Sequence, residues 1–165
     1  MKEKKIVLSV VLGVSLVALI TALVAGLADS LSLLIDGLGG YSQKNVGYVI
    51  AIGVLELCLS GLGIAFVALK IRAMVKPSNG TFIAETVLAA VIGGFFVITL
   101  IVLRVTQPTN SQNELFAQYY ALFTAYLGAA ITVTVSALLA YLSSLFLNRL
   151  AKKDEEAKPE NQNEQ

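Results

Sequence analysis

The hydrophobic positions of this chain fall in four long runs separated by short polar connections, at about Ile6–Ala28, Val46–Leu69, Phe82–Val105 and Tyr119–Leu147. About 20 apolar residues in a helix cross the hydrocarbon core of a bilayer, and each run reaches that length. The pattern predicts an all-α fold, a bundle of four transmembrane helices. The fourth run is long enough to require tilt or to protrude at one end. Residues 1–150 then form a single transmembrane domain. Residues 151–165, AKKDEEAKPENQNEQ, mix charges and amides with no large apolar side chain. They have too little apolar surface to offset the entropy of ordering and are expected to be a disordered cytoplasmic tail.

The connections differ in character. In Asp29–Asn45, a helix would gather Asp29, Ser32 and Asp36 on one narrow face, with Leu31, Leu34, Ile35 and Leu38 over the rest. The segment is expected to extend the first helix or to lie in the membrane interface, and Gly37, Gly39 and Gly40 to end it. Thr106–Gln118 has no hydrophobic pattern and reads as a polar, proline-bearing linker. Lys70–Thr81 is read as the connection between the second and third spans.

Small residues recur within every span, and in lipid they let helix backbones approach. The first carries Ala18, Ala22 and Gly26; the second Gly53, Ser60 and Gly63; the third Ala89 and Gly93, with Ala90 and Gly94 alongside; the fourth Ala125, Ala129, Thr132, Ser136, Ala140 and Ser143. These stripes are expected to turn inward or toward another subunit. Met1–Lys5 followed by an apolar run resembles the start of a signal peptide, with small residues at Gly26-Leu27-Ala28. A run reaching from Ile6 to Ala28 exceeds the usual ~7–15 residues of a signal core, which favours a retained anchor.

Composition agrees with membrane insertion: 56% of the 165 residues are hydrophobic, 14% are charged and mean hydropathy is +0.78. A net charge of +1 gives no basic face for nucleic acid. The absence of histidine excludes imidazole metal sites and Ser/His or Cys/His catalysis. There is no phosphate-binding or dinucleotide loop, so neither an enzyme nor a cofactor protein is indicated. The single cysteine, Cys58, forms no intrachain disulfide and is expected to be a buried, inert thiol. Tyr41, Tyr48, Tyr119 and Tyr120 gather at one predicted surface, with Phe82 and Phe146 at the other, as an aromatic belt and not a stacking site.

Five charged residues are candidates for function. Glu56 lies deep in the second span, where a carboxylate costs roughly 2.5–3.5 kcal/mol on insertion scales and must face protein or water. It shares its stripe with Gly53, Ser60 and Gly63, which places it against a neighbouring helix with the Ser60 hydroxyl one turn away. Glu85, near the start of the third span, is expected to interact with the positive end of that helix and with water or Lys76. Asp29, Asp36 and Arg104 mark the opposite surface, where Arg104 can reach outward or pair with an aspartate.

Three family patterns overlap in part. Ala28-Asp29-Ser30-Leu31-Ser32-Leu33-Leu34-Ile35-Asp36-Gly37 resembles the aspartate-bearing helix of cation diffusion facilitators, with its acids seven residues apart, over ten residues. That resemblance implies six helices and a histidine ligand, and this chain has four runs and no histidine. The four-helix count is similar to small multidrug-resistance transporters, whose glutamate belongs to the first helix, where this chain has none. Claudin-like proteins share the topology but carry an outer-loop tryptophan and a cysteine pair, both missing here. No family follows from these.

Two functional expectations remain. One is a structural or accessory subunit of a membrane assembly, in contact with lipid and with a protein partner or further copies of itself. The other is a small oligomeric transporter or channel that uses Glu56.

Orientation follows from the basic residues. Lys2, Lys4, Lys5, Lys70, Arg72, Lys76, Arg149, Lys152, Lys153 and Lys158 fall on one side, and only Lys44 and Arg104 on the other. Ten against two predicts a cell-membrane protein with both termini and the second connection cytoplasmic. In a Cys58→Ser background, a cysteine at Asn110 should react with an impermeant thiol reagent on intact cells, and one at Lys158 only after permeabilisation. The reverse pattern would invert the topology.

Overall fold

The computed structural model describes residues 2–39, 46–76, 78–106 and 114–156. Four helices occupy them: α1 (Lys2–Leu38), α2 (Val46–Val75), α3 (Asn79–Thr106) and α4 (Glu114–Glu156). All four are long and apolar enough to cross a membrane. Each is also longer than its apolar run. At 1.5 Å per residue, α1 extends about 55 Å and α4 about 64 Å, against ~30 Å of hydrocarbon.

The added length mixes polar with apolar residues. Asp29 to Leu38 continues α1, as the amphipathic pattern allows, and the Gly39 N–H closes the end on the Ile35 carbonyl at 2.8 Å. Gly37 lies inside the helix, so only the later glycines mark its stop. At the other extreme, Ala151–Glu156 continues α4 and is no tail; Ala, Lys and Glu are strong helix formers, and a helix already under way adds them at little cost. Residues 157–165 lie outside the described residues. Glu114–Gln118 likewise belongs to α4, so the linker before it is shorter than the composition suggests.

The connection expected over Lys70–Thr81 is also mostly helix. Lys70 and Arg72 belong to α2, and α3 begins at Asn79. Ser78 caps it: its Oγ accepts from the Thr81 N–H and the Thr81 Oγ1 accepts from the Ser78 N–H, both at 3.2 Å. This reciprocal pair is a capping box with threonine in the usual place of glutamate.

α1 packs on α2 and α4, and α3 packs on the same two from the other side; α1 and α3 do not touch among the described residues. α2 and α4 meet across the centre. Leu19 and Leu23 from α1, Ile52, Leu59 and Phe66 from α2, Ile92 and Leu103 from α3, and Tyr126, Ala130, Val133 and Ala137 from α4 fill the core. The division of burial follows. In their most apolar stretches, α2 and α4 bury 44% and 39% inside the chain, whereas α1 and α3 bury 17% and 22%. The outer faces carry exposed Val7, Val10, Val14, Val17 and Val24 on α1 and Ile83, Val87, Ile98 and Ile101 on α3. An aqueous solvent would not leave such surface uncovered.

Glycine sets the α1–α2 distance. A Cβ at Gly63 would run into the Leu23 side chain, one at Gly53 would lie 3.1 Å from Leu34 Cγ, and one at Gly26 would lie 3.0 Å from Ser60 Oγ. The expected stripe Gly53–Ser60–Gly63 therefore faces α1, and Gly26 faces it in return. In the third span Ala89 is buried, but Gly93 is half-buried with nothing within 4 Å of a Cβ, and Ala90 and Gly94 are exposed. The register in α4 also differs. Ser136, Ala140 and Ser143 are buried as expected, whereas Ala125 and Thr132 face outward, and Tyr126, Ala130, Val133 and Ala137 take the core. Tyr126 fixes that register, since its hydroxyl has a polar partner, Thr99, on α3.

Two glycines should separate sharply. Gly63→Ala overpacks against Leu23 and is expected to destabilise the bundle by about 1–3 kcal/mol. Gly61→Ala, at an exposed position with nothing within 4 Å, should be neutral or slightly stabilising. Denaturation in mixed micelles measures both.

Candidate functional site

Two places bring ionisable groups into the bundle, one near each end of α2. Nearer its start, Glu56 is 4% exposed. It packs at the α1–α2 contact, where Gly26 leaves room: a Cβ there would be 3.7 Å from Glu56 Oε1 and 3.0 Å from Ser60 Oγ. The carboxyl and the hydroxyl share the space without a hydrogen bond between them among the described residues. Asp29, one turn beyond Gly26 on α1, is exposed.

The second place holds an ion pair. Lys70 Nζ donates to Glu85 Oε2 at 2.6 Å, and both side chains are 2% exposed. The helix ends place them. α2 runs one turn past Lys70, and the Ser78 cap starts α3 so that Glu85 stands in its second turn, opposite the lysine. Glu85 thus lies in the first turns of the helix as expected, but it is buried and its partner is Lys70, not water or Lys76. Lys76 is exposed in the link. A buried pair of this kind compensates two charges that would each be costly alone, and its short charge-assisted bond fixes α2 against α3. Lys70 also lies 5.9 Å from the centre of the Phe66 ring.

Lys70 was missed as a site residue because a lysine at the end of an apolar run reads as an orientation signal. Its position held another signal. Ile52, Glu56, Leu59, Gly63, Phe66 and Lys70 recur every three or four residues on the buried face of α2, so Lys70 continues the Glu56 stripe.

Neutral hydrogen bonds tie the remaining helices. The Tyr126 hydroxyl, fully buried, donates to Thr99 Oγ1 at 2.9 Å, and Thr99 in turn donates to the Phe96 carbonyl at 3.0 Å. Thr86 Oγ1 and Tyr141 Oη are 3.0 Å apart. Other hydroxyls, including Ser15, Ser30 and Thr21, donate to carbonyls three or four residues back in their own helix. The tyrosines are thus more than belt residues. Tyr48 and Tyr119 also lie against each other, with ring centroids 3.9 Å apart and planes tilted by 42°, where α2 and α4 meet. Tyr41 lies outside the described residues.

The other candidates stay apart. Asp29, Asp36 and Arg104 are exposed toward the end opposite the ion pair. Cys58 is exposed on the outer face of α2 and not buried, since the buried positions on either side are Glu56 and Leu59. Among the described residues no three acid or thiol side chains gather to hold a metal ion.

Comparison with family models, curated proteins and solved structures finds no match to this chain.

The ion pair makes an asymmetric prediction. Glu85→Gln leaves a buried ammonium uncompensated and should cost about 3–5 kcal/mol of stability, whereas Lys70→Met with Glu85→Leu, which removes both charges, should be near neutral or stabilising. With Lys70→Met alone measured as well, a double-variant loss equal to the sum of the two single-variant losses would show that the pair contributes no coupling.

Proposed function

We propose that this protein is a small multi-pass membrane subunit, inserted with both termini and the α2–α3 link on the cytoplasmic side, that supports a larger assembly through its outer helix faces. The observation that carries this is the direct meeting of α2 and α4 across the centre, with Phe66, Tyr126 and Ala130 filling the space a path would need. That packing supports a role other than transport through a single copy.

The charges support the same view. Glu85 is neutralised by Lys70, and Glu56 is enclosed by Gly26 and Ser60 in a helix contact. A carboxyl group held in this way helps to specify how α1 meets α2 and needs no pathway. The outer faces offer places to dock. α3 buries little of its surface in the chain, and Ala90 and Gly94, together with Gly61 on α2, leave smooth exposed patches that another helix can approach closely. The partner is another membrane protein or a further copy of the chain.

Proteoliposomes with wild-type protein or Glu56→Gln should both show proton and cation flux no higher than protein-free liposomes, and mild-detergent extraction should recover the protein in a stable complex or oligomer. Flux from the wild type that is lost in Glu56→Gln would replace this reading with transport through Glu56. A protein that always behaves as a lone monomer would remove the accessory role.

A further inference from the structure

At the α2–α3 end, beyond the packed centre, the four helices splay around a half-open cavity of about 340 Å³, to which they contribute Leu12, Lys70, Glu85 and Asn148, with Ser144 and Phe82 beside them. That volume is in the range of small-molecule sites. The ion pair forms part of its wall and is incompletely satisfied. Glu85 Oε2 is bonded to Lys70, while Glu85 Oε1 is buried with no hydrogen-bond partner among the described residues. A buried carboxylate oxygen without a donor is costly and calls for an explanation. Lys70 has three N–H donors and gives one of them to Glu85. The pair therefore presents a spare acceptor and spare donors side by side, with no net charge.

A ligand that satisfies such a wall carries both signs: a primary ammonium to donate to Glu85 Oε1 and an anionic oxygen group to accept from Lys70. The neighbouring polar groups refine the anion. Ser144 and the exposed Asn148 amide add donors on the α4 side, so several acceptor oxygens are wanted, as in a phosphate. The terminal torsion of a glutamate turns in a broad well, which lets Oε1 meet a donor at the cavity surface. Phe82 and Leu12 supply apolar wall for whatever carries the group.

We propose that this cavity binds a phosphoethanolamine group, carried on a membrane lipid or free in solution, with Glu85 taking the ammonium and Lys70, Ser144 and Asn148 the phosphate. The cavity is separate from Glu56 and from the outer faces invoked above, so the two readings stand or fall independently.

The test is calorimetric titration of the full chain in a non-ionic detergent. The probes are a short-chain phosphatidylethanolamine, the matching phosphatidylcholine and free O-phosphoethanolamine. Phosphatidylcholine has the same charges but no N–H, so it should bind at least ten-fold more weakly than phosphatidylethanolamine. Lys70→Met with Glu85→Leu should reduce ethanolamine binding at least ten-fold while the circular dichroism and elution profile stay unchanged. Should that variant not fold, Asn148→Leu, altered only at an exposed side chain, carries the test with at least a three-fold loss. Comparable affinity for free O-phosphoethanolamine assigns a soluble source, and binding of the lipid alone assigns a membrane source; either supports the site. No binding of either ethanolamine probe, equal affinity for the choline lipid, or undiminished binding in the folded variant overturns it.

Discussion

A buried polar group is costly unless it is hydrogen-bonded, and among the described residues the buried side-chain nitrogens and oxygens meet that constraint within the chain except at Tyr48 Oη, Glu85 Oε1 and Thr134 Oγ1. That constraint accounts for most of the architecture. Backbone groups satisfy themselves in helices, the fold open to a chain with no sheet partners. Hydroxyls fold back onto their own carbonyls, as Ser15, Ser30 and Thr21 do. Polar contacts that cross between helices include Lys70 with Glu85, Tyr126 with Thr99 and Tyr141 with Thr86. Between apolar faces of similar character, such directional contacts and close glycine approaches decide which faces meet. The α2–α3 and α3–α4 contacts are specified by polar pairs, and the α1–α2 contact by Gly26, Gly53 and Gly63.

The helix count and approximate spans were legible in the sequence because an uninterrupted apolar run has few alternatives. Helix ends were not, since the run records the thickness of the apolar layer and not the length of the helix. Arg149–Glu156 is polar and helical at once. The site was half legible. Glu56 stood out as an acid in an apolar run, and its glycine neighbours predicted a close helix contact. Lys70 and Glu85 did not stand out as a pair because each has an ordinary explanation near a span boundary. Only their placement on buried faces of adjacent helices, across a three-residue link, joins them. The α4 stripe was offset for a related reason. Small residues permit close packing, but a tyrosine with a buried partner commands a face more strongly than an alanine does.

Glu56 and Glu85 are both buried, yet they answer the same constraint differently. Glu85 is ionic with a dedicated counter-charge on the next helix. Glu56 has Ser60 beside it and Gly26 against it, with no ion pair in the contact among the described residues. The contact thus encloses the Glu56 carboxyl group without a counter-charge of its own, whereas Glu85 is tied across a helix boundary.

Pairing also bears on the proposed orientation. Lys70 counts among the ten basic residues on one side, but Glu85 cancels its charge within the bundle, so it no longer acts as a free positive charge at the surface. The remaining nine, set against Lys44 and Arg104, keep the bias strong. They also sit where they can act: α1 and α4 run beyond the cavity at this end, and Lys4, Arg149, Lys152 and Lys153 lie exposed on those extensions. The bundle thus separates two uses of positive charge. Exposed lysines and arginines on the protruding helix ends would favour one side of an anionic membrane surface in the proposed orientation, while Lys70, drawn inside, is matched by an acid at the wall of the cavity between those ends.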